Sequence, residues 1–322
     1  MKIAAKIHKI SLATPFVIAR GARSECLLVR VSICTDQYCG VGECTPYARY
    51  NENADSVLQQ ITDWSKSLQD LTPEKAQDRL QDFPPGAARN ALDCALWDLR
   101  ARTKGQRFPY HLMQNTHPIE TAMTISIDTA TNMSQQAARL HHQGVGLLKV
   151  KLDADDILKR VAAVRHAAPN CKIILDANEA WLNIDLETIF HQLVQYDITM
   201  IEQPLPSQYD EILSKISHPI PLCADESCHQ TSDLKVIKNR YEMVNIKLDK
   251  TGGLTHAIKL AHEAQAQGLS IMIGCMLGTS MAMKAALPLI QFADLVDLDG
   301  PVLLGNDIED ALHYRAGVIS IQ

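Results

Sequence analysis

Hydrophobic and polar positions change rhythm about a third of the way along the chain. From residue 121 onward, short apolar runs rich in β-branched residues recur. They are "TAMTISI" (121–127), "LLKVKL" (147–152), "KIILDA" (172–177), "ITMIEQP" (198–204), "IPLCADE" (220–226), "MVNIKL" (243–248), "LSIMIG" (269–274) and "ADLVDLD" (293–299). Helical patterns separate them. Eight strands alternating with helices predict a (β/α) barrel rather than an open sheet. Pro288 stands in the helical stretch before the last run, so the closing unit is expected to be irregular.

The first 115 or so residues have a mixed α/β texture. "CLLVRVSI" (26–33) predicts a strand, and "GVGEC" (40–44) follows a turn. In "AARNALDCALWDLRAR" (87–102), Ala88, Ala91, Leu92, Ala95, Leu96 and Leu99 fall at helical spacing, which predicts a core-facing helix. "NTHPIE" (115–120) has breaker composition and marks an expected domain boundary.

Composition narrows the class. With 322 residues and 46% hydrophobic content the chain can bury a large core, as one barrel or two domains. A net charge of −6 argues against nucleic acid or an anionic membrane as partner. No apolar run reaches the length of a membrane span, and Lys2, Lys6 and Lys9 interrupt the N-terminal apolar stretch, so a cytoplasmic location is expected. None of the nine cysteines forms a CxxC pair, and Cys34, Cys39 and Cys44, spaced by five, fit no zinc pattern. They are expected to be reduced thiols, mostly in the core.

The strand ends carry the chemistry. Lys149 and Lys151 are two apart in an apolar run, so they share one face of a strand while Leu148, Val150 and Leu152 take the other. Lys151, Asp176, Glu202, Asp225 and Lys247 then recur every 22 to 26 residues, one per βα unit. Each ends its own strand, and in a barrel those ends converge on one mouth. Three carboxylates aimed at one point repel one another without a cation. All-oxygen ligation with room for substrate suits Mg²⁺. Asn178 could serve as a further ligand or support one. A structural Ca²⁺ site is the plainer alternative, though flanking lysines make little sense there. The acidic cluster makes the buried lysines tolerable. Mg²⁺ and Lys149 would in turn favour a neutral amine on Lys151, as a general base requires.

The KxK, DxN, EQP, ADE and "NIKLDKTGG" signatures resemble the enolase superfamily in its muconate-lactonising branch. "VDLDGP" (296–301), with Asp297 and Asp299, narrows the resemblance to dipeptide epimerases, and further motifs extend it over nearly the whole chain. The resemblance implies a modified (β/α)7β TIM-type barrel with an α+β capping domain. The cap would comprise residues 1–117 and a C-terminal tail, 301–322, around a barrel of residues 118–300. It implies Lys151 and Lys247 as acid/base pair, and Asp176, Glu202 and Asp225 as ligands of one Mg²⁺ per subunit. Lys149 would support the substrate carboxylate and tune Lys151. Thr124 and Cys275 fall where family members contact substrate, although as residue types both suit packing. Two cap loops, 14–26 and 42–50, would close over the mouth. A loop arginine, Arg20 or Arg23 with Arg23 aligning better, would pair with a glutamyl side chain. Asp297 and Asp299, on one face of an extended segment, would take the substrate ammonium.

The implied reaction is Mg²⁺-dependent epimerisation of L-Ala-D-Glu to L-Ala-L-Glu. It would run as a two-lysine 1,1-proton transfer through a metal-stabilised enediolate, in murein peptide recycling. The partner would be a small dipeptide, and a homo-oligomer is compatible with the sequence. One rival is a lyase or cycloisomerase of the same branch, such as an o-succinylbenzoate synthase, whose substrates give no reason for the DxD. Another is a catalytically dead barrel, which would be expected to lose ligands or lysines. Breadth of dipeptide specificity and oligomeric state are left open.

Overall fold

The computed structural model describes residues 1–114 and 117–321. The first two residues of the expected boundary at 115–120 therefore lie outside the described residues.

The N-terminal segment forms an antiparallel sheet of β1 (Lys2–Ile18), β2 (Gly21–Cys34) and β3 (Cys39–Cys44). Ile3, Ala5 and Ile7 alternate along β1 and pack on the apolar core under the sheet. Helices Ala54–Leu68 and Ala87–Thr103 complete that core. The second runs close beneath β3: a Cβ at Gly40 would lie 2.2 Å from Ala95 O, and one at Gly42 2.2 Å from Ala91 O. Two glycines two apart on one strand face admit the helix.

The segment 14–26 was expected to be a loop, and it is the tip of the β1–β2 hairpin. Phe16 pairs with Arg23, Val17 with Ala22 and Ile18 with Gly21, after a register irregularity between Ser11 and Phe16. The Phe-Val-Ile run favours strand, and Gly21 supplies φ of 124° for the tight turn. The hairpin register also places Cys34 opposite Cys39, and the two are joined in a disulfide. The expectation of nine reduced thiols fails for this pair. Of the other seven cysteines six are buried and Cys275 is half-buried.

Residues Ile119–Glu120 form β4, and then every expected barrel run appears as a strand. They are β5 (Met123–Ile125), β6 (Leu147–Lys151), β7 (Lys172–Asp176) and β8 (Ile198–Glu202). The series continues through β9 (Leu222–Ala224), β10 (Met243–Ile246), β11 (Ser270–Gly274) and β12 (Leu295–Asp297). The eight lie in chain order in one parallel sheet. Ala122 N–H donates to Val296 O at 2.8 Å, which brings the first and last strands together. The fold is thus an eight-stranded barrel with a separate N-terminal sheet domain. As Pro288 foretells, helix Ser280–Ala286 gives way to a 3-10 turn at Leu287–Phe292.

Inward-facing residues are layered. Ala122, Leu147, Ile174, Met200, Cys223, Met243 and Met272 form an apolar plug. One side chain farther along β5 to β10 and β12, the lumen turns polar. Outward-facing Leu148, Val150, Ile173 and Leu175 pack beneath the helices. The tail divides its contacts: Leu304 bridges Leu12 of β1, whereas β13 (His313–Arg315) and β14 (Val318–Ser320) form a sheet with β4. No helix among the described residues is long and apolar enough to cross a membrane.

Candidate active site

Strand alternation sets the floor of the site. On β6, Leu147 belongs to the apolar plug, so Lys149 and Lys151 follow it inward. Asp176 ends β7 and Glu202 ends β8, while Asp225 and Lys247 each stand one residue beyond β9 and β10. All six side chains are buried.

Each ammonium leans on carboxylates. Lys149 Nζ lies 2.6 Å from Asp297, 2.7 Å from Glu202 and 3.1 Å from Asp176. Lys151 Nζ donates to Asp176 at 2.6 Å, and Lys247 Nζ to Asp225 at 2.7 Å. Burial disfavours every one of these charges, so the pairing decides where the protons sit. Burial would raise Asp225, but Lys247 and Lys250 hold it well below the usual carboxylate range. Asp176 is lowered in the same way by Lys151 and Lys149. Glu202 goes the other way, to about 7, through burial and the neighbouring charge of Asp176. Burial would lower Lys149 and Lys247, yet their carboxylates outweigh it and raise both. Protons therefore rest on Lys149 and Lys247, and Glu202 is a carboxylate that a further cation would stabilise.

The donor set fits a hard divalent ion. Glu202 Oε2 and Asp225 Oδ1 are buried and accept no hydrogen bond. Each does lie 2.7 Å from a lysine Nζ, off the hydrogen-bonding direction. Among the described residues, no three His, Cys, Asp or Glu side chains already converge on one point. Each carboxylate leans onto a lysine instead. Asn178 lies beyond β7 and outside strand geometry. Its φ is 43°, and its backbone N–H donates to Asp176 Oδ1 at 2.9 Å, while its own Oδ1 is buried without a partner.

The last strand brings the DxD to the same cleft by a different route. β12 ends at Asp297, and Asp299 has left the extended conformation (φ −86°, ψ 6°) to begin helix Gly300–Leu303. The shared-face argument for the pair therefore does not apply, although both are buried and line the cleft. Asp299 Oδ2 accepts from the Thr124 N–H at 2.7 Å, and Asp297 Oδ1 has no partner. Burial and the charge of Asp297 push Asp299 up to about 7.

A cleft lies above this floor. It is lined by Lys149, Lys151, Asp225, Lys247, Asp297 and Asp299, by Thr124 and Cys275, and by Arg20 and Arg23 from the hairpin. Ile127 N–H donates to Val17 O at 3.0 Å, which docks the hairpin over the mouth. The two arginines differ. Arg20 is engaged by Glu226 at 2.7 Å, by Glu179, by the Tyr47 hydroxyl and by Asn178 O. Arg23 lies over the Tyr47 ring at 5.0 Å, and among the described residues no carboxylate pairs with it. Phe16 of the hairpin presents its ring to Lys151 Nζ at 5.9 Å.

Two floor residues escape the reading of strand ends. Asn245 Nδ2 donates to Glu202 Oε1 at 2.7 Å, and Lys250 Nζ lies 2.7 Å from Asp225 Oδ1. Asn245 was legible, since it sits two residues before Lys247 on the same strand face. Lys250 sits on a helical turn after the strand, where alternation offers no signal.

Comparison with known proteins agrees with this geometry. Residues 2–113 match the family described as mandelate racemase/muconate lactonizing enzyme, N-terminal domain, and residues 132–321 match that described as enolase C-terminal domain-like. The chain is 50% identical to the L-Ala-D/L-Glu epimerase of Escherichia coli over 96% of each chain. It is 43% identical to an N-acetyl-D-glutamate racemase of a Pseudoalteromonas species, covering 91% of this chain and 92% of that one. Among solved structures, a dipeptide epimerase from Enterococcus faecalis complexed with Mg and L-Leu-L-Tyr superposes with a TM-score of 0.92 at 27% identity, over 100% of this chain and 96% of that one. With both halves of the chain matched and full-length relatives at this level of identity, the protein belongs to the mandelate racemase/muconate-lactonising family of the enolase superfamily, among its dipeptide epimerases.

Proposed function

We propose that this protein inverts the α-carbon of the glutamyl residue in L-Ala-D/L-Glu by passing protons to and from two lysines on opposite faces of the substrate. One observation carries the reading. The strands bearing Asp176, Glu202 and Asp225 lie between those bearing Lys151 and Lys247, and both lysines line one cleft. The neutral amine of one lysine takes the α-proton, and the ammonium of the other delivers a proton to the opposite face. One C–H bond breaks and one forms, so no redox partner is needed.

Asp176, Glu202 and Asp225 would hold one Mg²⁺, which when bound offsets the negative charge that develops on the substrate carboxylate as the α-proton leaves. Lys149, with its ammonium fixed among three carboxylates, would support that substrate carboxylate and tune Lys151. Of the two hairpin arginines, Arg23 is the one that no carboxylate among the described residues pairs with, which supports assigning it the glutamyl side chain. Asp297 and Asp299 would receive the free ammonium, with Asp299 oriented by Thr124 and with Cys275 lining the wall. An N-acylated glutamate is the second reading that the relatives raise. The unpaired buried oxygen of Asp297 favours a cationic substrate group over an acetyl. Murein peptide recycling, a cytoplasmic location, and the division into cap (1–117), barrel (118–300) and tail (301–322) belong to the same proposal.

The test is proton exchange in deuterated water. Wild-type protein should incorporate one deuterium at the glutamyl α-carbon as it inverts. Lys151→Ala and Lys247→Ala should each stop inversion while still exchanging the α-proton of one epimer. Equal exchange of both epimers in either variant would overturn the two-face assignment.

A further inference from the structure

The ladder between β9 and β10 has only two rungs, Met243 with Cys223 and Val244 with Ala224. Beyond it stand Asp225 on one strand and Asn245, Ile246 and Lys247 on the other, with no backbone pairing between them. The ammonium of Lys250 bridges this gap. Nζ donates to the Asn245 carbonyl at 2.8 Å and to the Asp225 carbonyl, and lies 2.7 Å from Asp225 Oδ1. The side chain is 1% exposed, so no solvent competes for it.

Lys250 is itself held from the other domain. It belongs to the short helix Leu248–Thr251, which begins directly after Lys247. Arg89, on the helix under the N-terminal sheet, donates to Thr251 O at 2.6 Å and to Gly252 O at 3.1 Å. Asp249 accepts from Asn90 Nδ2 at 2.9 Å and from Thr45 N–H at 3.1 Å. The turn is thus anchored on the cap side, and its ammonium is a fixed point against which the end of β9 is set.

We propose that Lys250 is a positioning residue, bridging the ends of β9 and β10 so that the Asp225 carboxylate is held in place to bind the metal ion. This rests on the metal reading of Asp176, Glu202 and Asp225. It gives the site a second paired arrangement: Lys149 and Lys151 share Asp176, and Lys247 and Lys250 share Asp225. Lys250 touches neither the cleft nor the reacting atoms, so its influence passes through Asp225.

Calorimetric titration of Mg²⁺ tests this without turnover. Lys250→Met keeps the stem and removes the ammonium, and its affinity for Mg²⁺ should fall by about 10–100-fold, as for other residues that orient metal ligands. Lys250→Gln keeps amide donors for the carbonyls and should fall between the two; it also serves if the Met variant does not fold. At saturating Mg²⁺ the KM for dipeptide should change less than kcat. Unchanged Mg²⁺ affinity in a folded Lys250→Met or Lys250→Gln variant would overturn the role of Lys250 alone. If wild-type protein bound no Mg²⁺, or Asp225→Asn bound it as well as wild type, the metal reading would fail and this role with it.

Discussion

The two sides of the barrel mouth reach a similar arrangement by different local structure. On the β6 side, Lys149 and Lys151 come from one strand, and plain alternation turns both inward onto Asp176. On the β10 side the strand stops at Ile246, and a helical turn brings Lys250 back beside Lys247 onto Asp225. The first is a property of spacing and the second of a chain reversal. Their charge balance also differs. Lys149 touches three carboxylates, whereas Lys250 touches one carboxylate and two backbone carbonyls.

The largest expected effect treats the sides as equal. Asp176→Asn, Glu202→Gln and Asp225→Asn should each lower epimerisation by on the order of 10³-fold or more, measured by proton NMR of the dipeptide. Chelation should abolish wild-type activity and Mg²⁺ should restore it. Full turnover after dialysis against EDTA would remove the metal from the account.

Stability should separate the sides. Lys149→Met leaves buried carboxylates without their shared cation, a change that costs about 3–5 kcal/mol where a buried pair is broken. Lys250→Met should cost less, because one carboxylate rather than three loses its partner. Thermal unfolding in metal-free buffer measures both, and a larger loss for Lys250→Met would reverse the comparison.

Asp297 joins the β6 side through Lys149, at 2.6 Å. Asp297→Asn and Asp299→Asn should raise KM for L-Ala-L-Glu about 10–100-fold, from the loss of a charged hydrogen bond worth about 1.5–3 kcal/mol. N-acetyl-L-Ala-L-Glu should be a poor substrate for the wild type. If it were epimerised as well as the free dipeptide, the ammonium role would be lost and the N-acylamino-acid reading would gain. Over the cleft, Arg23→Met should raise KM about 10-fold for a glutamyl dipeptide and leave one with an apolar second residue unchanged. Arg20→Met should preserve that discrimination.

A pH test sharpens the β10 side. Burial raises Asp249 to about 7, against the hydrogen bonds from Asn90 and Thr45. A carboxyl group with a raised folded-state pKa binds its proton more tightly folded than unfolded. Stability therefore falls as pH rises from about 4 to about 7, and levels off above that. One unit of displacement is worth about 1.4 kcal/mol. Asp249→Asn, which keeps the acceptor oxygen, should flatten that slope and be the more stable protein at pH 8. A steeper slope in the variant would contradict the assignment.

Much of the fold was legible because the barrel repeats one rule. Most units place apolar residues outward and a polar residue near the inward end, so eight short runs announce the strands and five of them the charged mouth. The cap was less legible. The run from residue 2 to residue 12 alternates as a strand, but Lys2, Lys6 and Lys9 within it give the sequence no sign of which partner it pairs with. Flanking glycine and proline favour a loop at 16–23, yet cross-strand pairing prevails over local composition there. Cys34 and Cys39 illustrate the same limit, since only the hairpin register sets them opposite each other.

Within the site, the division between sequence and tertiary structure follows the range of the interaction. Spacing by itself determined the inward placement of Lys149, Lys151, Asp176 and Glu202, because alternation along a strand is local and needs no partner. It could not determine how Asp299 arrives beside Asp297 after leaving its strand, or which arginine Glu226 captures. Nor could it show that Lys250 turns back onto the backbone carbonyl and carboxylate of a residue 25 positions earlier in the chain. Those choices depend on contacts between segments far apart in sequence, and a buried charge settles where its partners lie rather than where its own strand points.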